Sequence, residues 1–142
     1  MYQTITIVGR LGKEPEMKYM PSGDPVTTFS VACDRQWNDK SGAKQKETTW
    51  FRVSVFGKSA EASNNYLSKG KLVLVEGRLG VDAKTGGPKV FNKSDGTVGS
   101  SFEIIASNVR FLSSKEEGDQ QRGKQPVADE TLDPVAVGDL PW

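Results

Sequence analysis

The chain has 142 residues, is 35% hydrophobic and 26% charged, and contains one cysteine and no histidine. That composition excludes an internal disulfide, a Cys-rich or His-ligated metal site and any Ser-His-Asp or Cys-His relay. No stretch approaches the roughly 20 apolar residues that a membrane span needs. Charge is divided by position, with a net +5 on residues 1–112 and −4 on residues 113–142. This split favours a polyanionic partner for the body, although solvated surface explains it equally well.

Five short β-rich runs separated by turn residues predict five strands. In chain order these are Gln3–Val8, Val26–Cys33, Thr48–Phe56, Leu72–Glu76 and Phe102–Phe111. Between the third and fourth, Ser59 is a candidate N-cap for a short helix that runs to about Ser68. Gly70 then supplies a left-handed stop. This order predicts an all-β, five-stranded Greek-key barrel, the OB-fold, with one short helix between strands 3 and 4.

Two parts of the chain are expected to behave differently. Residues 1–112 form the barrel domain, whereas residues 113–142 are polar, charged and interrupted by prolines, and we expect them to be disordered. The first strand begins almost at residue 1, so we expect no signal peptide and a cytoplasmic location.

The third strand carries the clearest functional signal, because successive side chains in a strand point to opposite faces. One face is wholly apolar and suits a barrel interior: Phe51, Val53 and Val55. The other face carries Trp50 and Phe56 with the guanidinium of Arg52 between them. Rings that stack on bases, beside cations that neutralise phosphates, suit single-stranded nucleic acid. The alternative is that both rings pack under a helix or another subunit.

Two loops continue the pattern of aromatic rings among cations. Trp37 follows Arg35 and precedes a lysine-rich stretch that includes Lys46. The long segment Gly80–Ser101 places Phe91 among three lysines, and a loop of that length is either functional or a hairpin arm. Single lysines in such loops are explained as well by solubility, and Phe91 is explained equally by anchoring its own loop.

No combination of side chains predicts a catalytic site. Asp34 and Glu47 lie across the second hairpin among cations, so surface ion pairing explains them better than acid–base or metal chemistry. Cys33 alternates with apolar residues and is interpreted as a small buried hydrophobe. We therefore expect a protein that is not an enzyme and uses neither a metal nor a cofactor.

Three ordered segments closely resemble the bacterial-type single-stranded DNA-binding protein family. They are Val8–Gly23, Trp50–Lys58 and Tyr66–Gly70, within a likeness that extends over residues 2–112. The chain end, Asp139–Trp142, resembles a variant of the acidic tip of that family.

The resemblance implies a sequence-independent binder that protects single-stranded DNA in replication, recombination and repair. It implies a cytoplasmic, nucleoid-associated bacterial protein that forms a homotetramer. The implied stacking residues are Trp37, Trp50, Phe56 and Phe91. The implied phosphate contacts are Arg35, Lys46, Arg52, Lys58, Lys69 and Arg78. The tip that recruits partner proteins comprises Asp139, Leu140, Pro141 and Trp142.

The chain departs from the family pattern at three positions. Phe91 replaces the usual tryptophan, Phe51 stands where many members carry histidine, and Trp142 replaces a terminal phenylalanine. Three other functions remain open: an OB-fold RNA binder or primosome-type accessory protein, a metal-dependent nuclease, and a scaffold whose aromatic face meets another protein.

Overall fold

The computed structural model describes residues 1–113, and within them the chain forms seven strands and one helix. The elements are β1 (Ile5–Leu11), β2 (Glu16–Tyr19), β3 (Pro25–Asn38), β4 (Lys44–Phe56), α1 (Lys58–Tyr66), β5 (Leu72–Gly80), β6 (Lys89–Asn92) and β7 (Val98–Phe111). The predicted acidic tail beyond Ser113, with its tip, lies outside the described residues.

Five of the strands close into a barrel, which confirms the predicted fold class. β1 pairs antiparallel with both β3 and β5, β5 pairs antiparallel with β7, and β4 pairs antiparallel with β3. The one parallel pairing in this circuit joins β4 to β7, with Phe51 opposite Phe102. The helix lies between the third and fourth barrel strands, as the sequence predicts.

The barrel interior is filled by alternating apolar side chains from all five of these strands. Val31, Val53, Val73, Val75 and Ile104 are completely buried. Because branched aliphatic side chains pack well on a pleated surface, these runs favour strands over helices. No helix within residues 1–113 is long and apolar enough to cross a membrane.

The strands run further than the sequence predicts. β3 and β4 continue past the barrel to Asn38 and from Lys44, so that their outer parts pair only with each other as a two-stranded ribbon. The Asp39 carboxylate closes the ribbon's turn by accepting hydrogen bonds from the backbone N–H groups of Ser41 and Ala43, each at 2.9 Å. The hydrogen bond that the Ser41 hydroxyl donates to Asp39, together with these backbone bonds, holds the pKa of Asp39 below its ordinary value.

Two short strands were not predicted. β2 adds to the edge of β3, and β6 pairs with the beginning of β7. The segment Gly80–Ser101 is therefore a hairpin arm, one of its two predicted forms, with Gly96 in the left-handed region at φ 85°.

The predicted helix cap is wrong. α1 begins at Lys58 after Gly57, which adopts φ 71° and is the N-cap without a side-chain hydrogen bond. Gly70 does have a positive φ of 88°, but the helix has already ended at Tyr66. Gly70 instead belongs to a turn before β5, in which the Lys71 N–H donates to the Ser68 carbonyl.

Candidate functional site

The outer face of β4 exposes two aromatic rings to solvent. Trp50 is 53% exposed and Phe56 is 44% exposed, whereas Val53 and Val55 on the opposite face are buried. This confirms the alternation predicted from the sequence. Arg52 lies between the two rings on the same face and is itself exposed. The two rings are six positions apart along the strand, or about 20 Å at the usual rise per residue.

The indole of Trp50 rests on the backbone of Gly12. A methyl group added at Gly12 would lie 2.4 Å from Cζ3 of the ring. The missing side chain of Gly12 therefore makes room for Trp50, and half of the ring's surface remains open to a ligand. The sequence alone indicates only a turn glycine at this position and does not reveal this role.

A cleft of about 330 Å³ opens beside this indole, and we call it the Trp50 cleft. It is lined by Arg10, Leu11, Gly12, Ala32, Asp34, Lys46, Thr48, Trp50 and Gly70. Arg10 is fixed there because its Nη1 donates to the Gly70 carbonyl oxygen at 2.9 Å. The cleft forms where β1, the outer parts of β3 and β4, and the turn before β5 meet.

Asp34 is one of the residues that line the Trp50 cleft, and only 2% of its surface is exposed. Thr48 Oγ1 donates to its Oδ1 at 2.6 Å, and Lys46 Nζ is 3.7 Å from its Oδ2. The prediction of an ion pair with a cation is confirmed, but the predicted surface location of Asp34 is wrong. Its burial comes from neighbours on other strands, which sequence spacing does not reveal.

Trp37 and Arg35 lie together on the ribbon beyond the barrel. The Arg35 guanidinium carbon is 4.7 Å from the centre of the Trp37 ring, a cation–π distance, and Arg35 also pairs with Glu47 at 3.3 Å. Their register places them on the ribbon face opposite to the one that carries Lys46 and Trp50. The structure therefore does not bring Trp37 onto the same ribbon face as Trp50.

Arg52 belongs to a small ion-pair network centred on Glu103 of β7. Arg52 Nε is 3.9 Å from Glu103 Oε1, and Lys89 Nζ is 3.2 Å from Glu103 Oε2. Lys89 lies on β6, so the network connects the hairpin arm to the barrel. Glu103 was not singled out from the sequence, since its two partners come from two other segments of the chain, β4 and β6.

Phe91 lies on the arm and covers a glycine on the neighbouring strand. It pairs with Gly99, and a methyl group added at Gly99 would lie 2.8 Å from Phe91 Cζ. The ring is nevertheless 48% exposed. Phe91 thus contacts its own hairpin and also exposes part of its ring to solvent. The contact fits a ring that anchors its own loop, and the exposed surface fits a ring that stacks on a base.

The remaining predicted phosphate contacts are exposed at separate places around this face. Lys58 begins α1 two residues after Phe56, and Lys69 immediately precedes Gly70, which lines the Trp50 cleft. Arg78 lies opposite Ile105 of β7, which in turn lies opposite Ser54 of β4. Arg78 is therefore two strands, or about 10 Å, from the outer face of β4.

Cys33 is buried, as predicted, next to Asp34. Burial, with a smaller contribution from the Asp34 charge, raises the pKa of its thiol to about 11. The thiol is therefore protonated at neutral pH and is a poor nucleophile. Within residues 1–113, no three histidine, cysteine or carboxylate side chains are grouped so as to hold a metal ion.

The chain is similar to known proteins in both sequence and fold. The model of the single-strand binding protein family matches residues 2–112. A single-stranded DNA-binding protein of Neisseria meningitidis (serogroup A / serotype 4A) is 34% identical over 113 residues, which are 80% of this chain and 61% of that protein. One from Helicobacter hepaticus is 34% identical over 120 residues, 84% of this chain and 66% of that protein. The chain thus spans less than two thirds of these relatives.

Among solved structures, one described as a Plasmodium falciparum SSB complex with ssDNA is similar, with a TM-score of 0.65 and 30% identity. The match covers 80% of this chain and 96% of that one. The barrel described above is therefore shared with a protein whose structure contains single-stranded DNA.

Proposed function

The chain belongs to the single-strand binding protein family, and on that premise we propose that it binds single-stranded DNA without general sequence preference. The observation that carries the proposal is the outer face of β4, where Trp50 and Phe56 are about half exposed and flank Arg52. A soluble barrel ordinarily covers such a face with polar groups, so two open rings there call for a partner.

Stacking and phosphate neutralisation supply the affinity in this proposal. Base–aromatic stacking contributes about 1–3 kcal/mol per base and tolerates all four bases. Trp50 and Phe56 stack bases along β4. Phe91 extends the path onto the hairpin arm, and Trp37 stacks a base on the opposite face of the ribbon, so the strand must pass around the ribbon to reach it. The phosphates are contacted by Arg35, Lys46, Arg52, Lys58, Lys69 and Arg78. Salt weakens binding because phosphate contacts release counterions.

The wider role follows from the same premise. We propose a non-enzymatic protein that protects single strands during replication, recombination and repair in the bacterial cytoplasm. It acts as a homotetramer, and its tip, Asp139–Trp142, recruits partner proteins. The basic residues 1–112 and the acidic tail of residues 113–142 support separate partners, with DNA bound by the first and proteins by the second.

Tryptophan fluorescence tests the proposal directly. The full-length protein, Trp37→Ala and Trp50→Ala are titrated with oligo-dT at low and high salt, with Tyr2→Ala as a matched loss of an exposed aromatic outside β4. We expect quenching by oligo-dT that weakens with salt. Trp50→Ala lowers affinity by about 5- to 150-fold, the equivalent of one stack. Tyr2→Ala leaves affinity unchanged.

Equal quenching and affinity in all four proteins would contradict the stacking assignments. Oligo-U serves as a second ligand, because strong preference for RNA would require readout of the 2′-hydroxyl and would favour the RNA-binding alternative. Incubation of a labelled single strand with magnesium separates binding from cleavage, and we expect the strand to stay intact.

A further inference from the structure

A second pair of exposed aromatic rings lies beside the end of helix α1. Tyr66 is the last residue of α1 and Phe111 is the last residue of β7, and we call them the Tyr66–Phe111 pair. The two rings are stacked, with their centres 5.6 Å apart and their planes at 29° to each other. Tyr66 is 56% exposed and Phe111 is 40% exposed, values close to those of Trp50 and Phe56. Neither ring was predicted from the sequence to bind DNA.

Packing at the edge of the core explains only part of this pair. Phe111 lies opposite Val73 in the register, and Leu67 directly follows Tyr66; both neighbours are buried. The two rings also cover one face of each other. More than half of the Tyr66 surface nevertheless faces solvent. Contiguous apolar surface that stays open on a folded protein often marks a binding site.

The turn before β5 connects this pair to the Trp50 cleft. Gly70 lines the cleft, and its N–H donates to the Leu11 carbonyl oxygen of β1 at 2.8 Å. On the other side of the same segment, the Leu72 carbonyl oxygen accepts from the Leu112 N–H at 3.1 Å, at the end of β7. Two strand spacings, or about 10 Å, therefore separate the β1 wall of the cleft from the end of β7. A nucleic acid strand that leaves the cleft over this turn reaches the pair.

The same turn carries two positive charges. Lys69 is exposed, and Lys71 Nζ donates to the Tyr66 carbonyl oxygen at 2.8 Å. Neither lysine forms an ion pair with a carboxylate of residues 1–113. Glu61, the acidic residue of α1, lies in the first turn of the helix, at the opposite end from Tyr66. Open rings beside unpaired cations are the combination that binds single-stranded nucleic acid.

Resting on the function proposed above, we propose that the Tyr66–Phe111 pair is a further stacking site for single-stranded DNA. A base stacks on the open surface of Tyr66, and Lys69 contacts the phosphates between this base and the base on Trp50. Lys71 is a positioning residue, because its hydrogen bond holds the end of α1 and its charge remains beside the ring. Stacking on an aromatic ring tolerates every base. The site therefore lengthens the path of the strand without adding sequence preference.

Strand length separates this site from the rings of β4. An oligo-dT of about 4 nucleotides, the lower limit for one OB-fold, is held by Trp50 and Phe56, whereas one of about 16 nucleotides also reaches the pair. Affinities for both lengths are measured for full-length wild type, Tyr66→Ala, Tyr66→Phe and Tyr2→Ala. We expect Tyr66→Ala to bind the long strand about 5- to 150-fold more weakly and the short strand as wild type does. Tyr66→Phe keeps the ring and should match wild type at both lengths, as should Tyr2→Ala.

A second measurement uses the wild type alone, in case Tyr66→Ala does not fold. Exposed tyrosines are nitrated with tetranitromethane in the presence and absence of each strand, and the modified residues are identified by mass spectrometry. We expect the long strand to protect Tyr66 and the short strand to leave it reactive. Tyr2 should be nitrated in every sample.

Three results would overturn the inference while leaving single-strand binding intact. The first is unchanged affinity for the long strand in folded Tyr66→Ala, which would favour a protein as the partner of the pair. The second is an equal loss at both lengths, because a site beyond the short strand affects only the long one. The third is nitration of Tyr66 under the long strand. Failure of both strands to bind would instead overturn the proposed function.

Discussion

Gly12→Ala tests whether the position of Trp50 matters for binding. The added methyl carbon would lie 2.4 Å from Cζ3 and 2.6 Å from Cη2 of the indole, well inside van der Waals contact. The backbone at Gly12 is not in the left-handed region, so alanine itself is not strained there. The ring is half exposed and can swing towards solvent. We therefore expect the substitution to move the ring and leave the barrel folded.

We expect Gly12→Ala to lose the binding affinity that stacking on one aromatic ring contributes. Stacking on one ring contributes about 1–3 kcal/mol, which corresponds to about 5- to 150-fold in affinity for oligo-dT. The melting temperature should change little. Gly9→Ala provides the contrast, because its methyl carbon would lie 2.3 Å from the Ala32 carbonyl oxygen, and backbone cannot swing aside. That variant should lose stability first and DNA binding only as a consequence.

A double-mutant cycle shows whether Gly12 acts through Trp50. Affinities for oligo-dT are measured for Gly12→Ala, Trp50→Ala and the double variant, with Gly87→Ala as a control whose methyl group meets only an ordinary contact at 3.6 Å. The double variant should bind no more weakly than Trp50→Ala alone. Fully additive losses, or wild-type affinity in Gly12→Ala, would refute the reasoning.

Three further predictions concern charge. Glu103→Gln releases Arg52 and Lys89 from their ion pairs, so oligo-dT should bind several-fold more tightly at low salt. The slope of log affinity against log salt concentration should steepen by up to about 0.7 for each additional phosphate that is neutralised. Weaker binding would contradict this prediction. Burial raises the pKa of the Cys33 thiol from 9.0 to about 11. The part of the free energy of unfolding that depends on the neutral thiol is therefore fully present below pH 9 and is lost as the pH rises from 9 to 11. Urea unfolding at pH 7.5 and 10.5 should therefore show a larger loss of stability in wild type than in Cys33→Ala, by up to about 2 kcal/mol, and equal losses would contradict the assignment. Removal of residues 113–142 deletes a net charge of −4 and should raise the affinity for oligo-dT at low salt, because the acidic tail then no longer competes with DNA for the basic residues. Unchanged affinity would exclude this competition.

The fold and the exposed face of β4 could be predicted because both depend on local alternation. The period of two in Trp50–Phe56 separates interior from exterior without reference to any other strand. β2 and β6 were missed because each has only four residues, with no buried face. Runs this short carry little alternation signal, and they form only because a longer neighbour offers an edge.

The Trp50 cleft could not be predicted, because it is assembled from distant parts of the chain. Gly12 lies 38 positions before the ring that covers it. Asp34 resembles any surface carboxylate in a charged hairpin, and in the folded chain it is buried among residues of β1, β4 and the turn before β5 that line the same cleft. The burial of Asp34 depends on contacts between distant parts of the chain, and residue spacing in a single sequence does not predict such contacts.

Photochemical cross-linking tests the central claim that bases cover the exposed rings of β4. The full-length protein is irradiated with an oligonucleotide that carries 5-bromodeoxyuridine, and the linked residues are identified by mass spectrometry. We predict cross-links at Trp50 and Phe56 that disappear when unlabelled oligo-dT is added in excess. Tight binding with cross-links only at other exposed aromatics, such as Tyr2 or Tyr66, would contradict the account.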